Sequence, residues 1–344
     1  MTEQEVLKAS GRRTRRSFLV AAAGAAGGYG FYRWLDRAPG LEGIPRPLRK
    51  TFEFDEAVAR GVFDERGLAP TYSLKHATEL KINGNFGLKQ KIELDSFRLQ
   101  MVGVEGADKL PQYVKDVTAW EYKYAEDTAK ELGENVKTRP KAAGAAPAPA
   151  PAAGAPAAPD RSAMPPEFQK AFAAIDKEND GKPQRGQEEA GESDSTLDPG
   201  TPGLLLTMDD VLKMPRHEMV TQFKCIEGWS QIVQWGGVRL GDLLTAYPPA
   251  RNADGSLPKY VYMETPNGDY YTGYEMAECH HPQSLLVTEM SGKPITQEHG
   301  APMRLHMPIK YGYKQIKRIG LIAYTDDRPD DYWTKLGYDW YAGL

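Results

Sequence analysis

Phe223-Lys224-Cys225-Ile226-Glu227-Gly228-Trp229-Ser230, followed by Val233-Gln234-Trp235-Gly236-Gly237, is the stretch of this 344-residue chain on which its reading turns. From Leu204 to the C-terminus the sequence is dense with strand-like segments and turn residues. Here that pattern sets a cysteine at a strand end, beside a glycine and an acid. Taken alone, such a cysteine reads as a small buried hydrophobe. Deprotonated, it is a soft thiolate suited to holding a metal.

Working outward, composition bounds the alternatives. Hydrophobic residues make up 40% and charged residues 26%, as in ordinary soluble domains. A formal charge of −4 gives no basic face for nucleic acid. Cys225 and Cys279 are the two cysteines, which excludes a disulfide-stapled mini-domain and leaves one disulfide open. Tryptophan and tyrosine concentrate in the last third, where a well-built core is expected.

The N-terminus reads as an address, with Thr14-Arg15-Arg16-Ser17-Phe18-Leu19 fitting the twin-arginine export pattern. The apolar run from Phe18 to Tyr32 is shorter than the roughly 20 residues a spanning helix needs. It is either a signal or a retained anchor over residues 1–38. The alternative is a basic tail followed by a short buried helix. Pro39 to Pro47 reads as a linker, and Phe52 to Arg66 as a helix closed by Gly67.

The first part of the main domain is expected over 39–104, with a strand at Phe97–Gly103. Residues 105–203 read as an insertion. It opens with a possible helix from Lys115 to Leu132 and continues through Ala142–Pro159, a stretch of only Ala, Pro and Gly. An acidic run from Asp176 to Asp198 comes next. Asp176, Glu178 and Asp180 imitate the start of a calcium loop, but Pro183 and Gln187 stand where an apolar residue and a bidentate Glu belong. A plain acidic linker is the better reading. The domain resumes over 204–344, where Leu204-Leu205-Leu206 leads into a helix capped by Thr207. Tyr274 to Leu286 is predicted helical, interrupted by Pro282. Cys279-His280-His281 on it reads as structural, as does the aromatic tail Trp333 to Tyr341.

Two further runs change the weight of Cys225. One is Gly292-Lys-Pro-Ile-Thr-Gln-Glu-His299-Gly300-Ala301-Pro302-Met-Arg304-Leu. The other is Pro308-Ile-Lys310-Tyr311-Gly312-Tyr-Lys314-Gln315-Ile316-Lys317. With Cys225-Ile-Glu227-Gly-Trp-Ser and Trp235-x-Gly237, they resemble the sulfite-oxidase-type molybdopterin-dependent oxidoreductases, and within them the periplasmic protein-methionine-sulfoxide reductase branch. The resemblance is close over 204–344 and loose over 70–104. It implies an α+β fold of mixed sheets and short helices, broken by a long, partly disordered insertion. Cys225 would be the thiolate ligand of molybdenum, with Glu227 a nearby catalytic polar group. His299, Arg304, Gln315, Ile316 and Lys317 would hold a molybdenum–molybdopterin cofactor. Asn83 and Phe86, in Asn83-Gly84-Asn85-Phe86-Gly87, and Thr265 are placed in the same pocket. For Thr265 a plain turn at Pro266-Asn267-Gly268 is an equal alternative.

The residues after Cys225 bear on substrate. Sulfite oxidisers of this family carry a basic run after the cysteine, whereas this chain carries an acid, which disfavours a small anion. The resemblance therefore implies two-electron oxygen-atom transfer, reducing a sulfoxide-type substrate, free or protein-bound. Oxidation of sulfite or another small anion is the second reading, and a non-catalytic exported binding module the third. No haem or iron–sulfur motif is visible, so a separate redox partner, such as a membrane cytochrome b, is implied. The protein is expected to be extracytoplasmic, exported folded, and a monomer, because the chain stops too soon after Lys317 for the family's dimerisation domain.

Overall fold

The computed structural model describes residues 67–125 and 197–343 throughout, and most of 24–62. The chain divides into two compact units, residues 1–62 and 63–344.

In the first unit, β1 (Gly40–Leu41) pairs antiparallel with β2 (Ile44–Pro45), and α1 spans Arg46–Val62. The expected linker thus supplies a strand pair and the start of the helix. Pro47 explains the earlier start, because a first-turn residue needs no N–H donor and proline's φ is already helical. The described part of the helix runs to Val62, and the expected end at Arg66 lies outside the described residues. No helix among the described residues is long and apolar enough to cross a membrane. The export pattern Thr14–Leu19, the Ala/Pro stretch and the calcium-loop resemblance all lie outside the described residues.

The second unit is α+β, built on two sheets. One has six strands, β4 (Tyr113–Val114), β5 (Gly203–Leu206), β3 (Leu99–Val102), β13 (Leu321–Thr325), β8 (Tyr260–Glu264) and β9 (Tyr271–Glu275), in that spatial order. Its neighbours are antiparallel except β3 and β13. The other has five, with β11 (Lys293–Pro294), β10 (Leu285–Met290), β7 (Ser230–Arg239) and β6 (Arg216–Lys224) in order, and β12 (Arg304–His306) also on β10. Alternating apolar positions of the first sheet, such as Leu99, Met101, Leu204, Leu206, Val261 and Met263, face one large core. A smaller core of Leu80, Phe223, Val233, Trp235, Leu285 and Val287 sits on the second.

The leucine lead-in is strand β5, and Thr207 caps the helix behind it, α2 (Met208–Leu212), as expected, in a reciprocal box with Asp210. Residues 115–125 are not helical. Asp116 accepts from the Thr118 amide at 2.9 Å, a local turn that competes with helix. Residues 105–125, grouped by sequence with the insertion, are built into the sheet: β4 pairs β5, Val117 is fully buried, and the Tyr122 hydroxyl donates to the Arg98 carbonyl at 2.7 Å. The helix expected over Tyr274–Leu286 shrinks to α4 (Met276–Cys279), α3 being Leu240–Ala246 behind β7. β9 runs on to Glu275, Pro282 breaks the segment and β10 begins at Leu285. Both cysteines are free thiols, which closes the disulfide question.

The C-terminal residues 329–343 form a strap against the sheet that carries β9. Its buried Asp331 accepts from Thr272 Oγ1 (2.7 Å) and Lys314 Nζ (2.6 Å), and caps α5 (Tyr332–Lys335) through the amides of Trp333 and Thr334. Further along, Lys310 Nζ donates to the Tyr341 carbonyl at 2.6 Å, and Trp340 Nε1 to that of Pro329 at 3.0 Å.

Candidate active site

β6 and β7 are a hairpin whose register closes at Lys224 opposite Ser230, leaving Cys225 to Trp229 as the connection. The Cys225 amide donates to the Trp229 carbonyl at 2.9 Å, and the Gly228 amide to the Cys225 carbonyl at 3.2 Å. Gly228 sits at φ +87°, a region that costs an L-residue about 1–2 kcal/mol. The loop therefore closes on itself and presents the half-buried thiol to a cavity.

Three parts of the chain wall that cavity: residues 80–86, the Cys225 hairpin, and scattered positions between Tyr270 and Tyr338. A chain of polar contacts links them. Asn83 Nδ2 lies 3.9 Å from the Cys225 sulfur and donates to Glu227 Oε2 at 3.3 Å. Trp229 Nε1 donates to the same carboxylate oxygen at 2.9 Å. Lys317 Nζ donates to the Asn83 carbonyl and, at 3.0 Å, to that of Gly84. The lysine thus fixes the backbone of the segment whose side chain steadies the acid.

Arg304, on β12, is completely buried. Its Nη1 donates to the His299 carbonyl at 3.2 Å, and the guanidinium lies over Trp235 at 5.6 Å. Nε and Nη2 are buried with no hydrogen-bond partner among the described residues. Unpaired buried donors of this kind are costly, and their fork geometry matches two oxygens of a phosphate. Burial lowers Arg304 to about 10 and Lys317 to about 7, the Arg304 charge adding to the latter. Burial also pushes the Cys225 thiol up, and the Glu227 charge works the same way. The cavity floor is thus a place for an anion, and burial there favours the neutral form of the thiol.

Of the residues singled out in the sequence, Cys225, Glu227, Asn83, Phe86, Arg304, Gln315 and Lys317 line this one cavity. Thr265, His299 and Ile316 do not. Thr265 Oγ1 donates to Asn267 Oδ1 at 2.9 Å and accepts from the Tyr270 amide, closing the turn that was its alternative. His299 spends both ring nitrogens internally, on the Leu80 carbonyl (2.9 Å) and Thr296 Oγ1 (3.0 Å). Ile316 is fully buried in the large core. Behind the floor, Gln315 Oε1 lies 2.8 Å from His306 Nδ1, and Thr221 Oγ1 lies 2.7 Å from His306 Nε2. Sequence reading missed Tyr270, Tyr313, Trp333 and Tyr338 in the cavity wall. Their only signal was aromatic density, which packing explains equally well.

Residues 200–333 match the family described as the oxidoreductase molybdopterin binding domain. The chain is 36% identical over 141 residues to the protein-methionine-sulfoxide reductase catalytic subunit MsrP of Xanthomonas campestris, covering 38% of this chain and 44% of that protein. It is 34% identical over 160 residues to MsrP of Campylobacter jejuni, covering 41% of this chain and 52% of that protein. The chain spans about half the length of these curated relatives. Among solved structures, the sulfane dehydrogenase SoxCD of Paracoccus pantotrophus aligns with a TM-score of 0.31 and 20% identity, over 37% of this chain and 36% of that one.

The residues present fit a molybdenum–pterin group on their own chemistry. Two unpaired guanidinium nitrogens and a half-buried lysine suit a phosphate, and a thiol on the same cavity suits a soft, high-valent metal. Motif, cavity and match converge on residues 200–333, the stretch that is similar to the oxidoreductase molybdopterin binding domain.

Proposed function

We propose that this protein is a molybdopterin-dependent reductase that removes the oxygen atom from a sulfoxide-type substrate. The observation that carries this reading is the pair of partnerless Arg304 nitrogens on the cavity that also holds the Cys225 thiol. When bound, the molybdenum–pterin group supplies two-electron oxygen-atom transfer. Cys225 is the thiolate ligand. Arg304 and Lys317 grip the phosphate, and Gln315 and Asn83 face the pterin. Phe86 closes one side. His299, Thr265 and Ile316 act from behind the wall, His299 by fixing the Arg304 guanidinium through its carbonyl.

Glu227, held by Asn83 and Trp229, orients the substrate or a proton close to the metal. A carboxylate there repels sulfite and similar anions, which ranks anion oxidation second. Residues 1–38 direct export by the twin-arginine route, so the enzyme works outside the cytoplasm. A separate redox partner, in the manner of a membrane cytochrome b, delivers electrons. The relatives' designation as a catalytic subunit is in keeping with that arrangement.

Oxidation of a reduced viologen dye by the molybdenum-loaded protein, with methionine sulfoxide added, tests the reading. Turnover that disappears in Cys225→Ser is expected. Full molybdenum with no turnover of any sulfoxide would overturn it.

A further inference from the structure

We infer that the C-terminal strap builds a specificity wall, in which Trp333 and Tyr338, backed by Phe86, select sulfoxides carrying an apolar arm. This rests on the proposed reduction of a sulfoxide at Cys225. Phe86 and Trp333 meet edge-to-face at 5.3 Å between ring centroids, and Trp333 and Tyr338 at 5.0 Å. All three rings line the cavity of Cys225 and Glu227. Other aromatics of the strap, Tyr332, Trp340 and Tyr341, are buried, whereas Trp333 and Tyr338 keep partly open faces.

Their placement is over-determined. The buried Asp331 carboxylate, paired with Lys314, accepts from the Trp333 amide at 3.1 Å, so an ion pair and a cap fix the ring's backbone. The Tyr338 amide donates to the Trp333 carbonyl at 3.0 Å, and Gly337 turns at φ +94° between them. The wall offers no charge. The charged groups of the cavity, Lys81, Glu227, Arg304 and Lys317, all come from other segments. A sulfoxide fits this division with its polar S–O group on the side of the cavity that carries the thiol and the cations, and its apolar arm on the rings. Tyr338 also lies past residue 333, where the family match ends, so this part of the wall is supplied by sequence outside that match.

The test compares methyl phenyl sulfoxide with dimethyl sulfoxide on the molybdenum-loaded, full-length protein, by calorimetric Kd and by viologen-linked KM and kcat. Trp333→Ala and Tyr338→Ala should each weaken binding of the aryl compound by up to about tenfold. The loss should fall on KM more than on kcat, and should be smaller for dimethyl sulfoxide. Trp333→Phe, which keeps a ring, should recover most of the affinity, and thermal melts establish that each variant is folded. Equal losses for both compounds, or losses confined to kcat, would overturn the wall. Aryl binding that depends on Trp333 without turnover would uphold the wall and remove oxygen-atom transfer from sulfoxides. Turnover with unchanged Kd and KM in all variants would do the reverse.

Discussion

At Arg304, Nη1 has a protein partner in the His299 carbonyl while Nε and Nη2 have none among the described residues. A buried charge without its counter-ion costs several kcal/mol, whereas the same charge paired and hydrogen-bonded is retained at little cost. Arg304→Met should therefore leave the cofactor-free protein as stable as the wild type or more so, and lower molybdenum retention in the loaded protein by about tenfold or more, as loss of a charge-assisted pair implies. Thermal melts of the one form and metal analysis of the other check both arms. His306 gives a second prediction. Burial depresses it to about 3, against an ordinary 6.5. The unfolded chain then binds a proton that the folded one refuses, so the contribution to stability is complete above about pH 6.5 and is lost as pH falls toward 3. Urea unfolding of His306→Gln should show a shallower decline than the wild type as pH falls through that window. Residues with motif chemistry were legible in sequence because a cysteine, an acid and two cations in a Gly-rich frame have few other uses. Trp333 and Tyr338 were not, because which aromatic faces a cavity depends on how the strap lies, and the strap is placed by Lys314 and Asp331.

The Cys225 hairpin is an element with two different glycine requirements. At Gly228 nothing stands near a would-be Cβ, so only the left-handed backbone matters. Gly228→Ala should cost about 1–2 kcal/mol and weaken metal retention by shifting the thiol. At Gly237 on β7 a Cβ would stand 2.0 Å from the Leu286 carbonyl oxygen on β10. There the sheet itself must give, and Gly237→Ala should cost more than Gly228→Ala, or prevent folding. Chemical denaturation of the pair decides the order. Elements declared by local chemistry, such as the capping box at Thr207, were readable in advance. Those that depend on a neighbour were not: β4 needs β5 beside it, and the helix expected from Tyr274 gives up its first two residues to β9, which pairs with β8.

For the whole molecule, the strap is tied to the core by the buried ion pair of Lys314 with Asp331, beside a second pair of Lys310 with Glu278. Removing one partner of such a pair leaves an uncompensated charge, at about 3–5 kcal/mol. Asp331→Asn should lose stability of that order and raise KM for the aryl sulfoxide along with it, since the Trp333 amide loses its charged acceptor. The six-stranded sheet carries a different consequence. β3 and β5 are hydrogen-bonded neighbours, with Leu99 opposite Leu206, although about a hundred residues of chain lie between them. Closure entropy grows only as the logarithm of such a length, with a doubling worth about 0.6 kcal/mol. Asn83 and its segment stand on one side of that interval, while Cys225, Arg304 and Lys317 stand on the other. The candidate site is thus assembled from two stretches of one chain that meet through a β-ladder and the Lys317 and Arg318 contacts to residues 83–90. A backbone cut between residues 125 and 197 should yield two pieces that co-purify and work as one enzyme, a natural split protein held together by its own sheet.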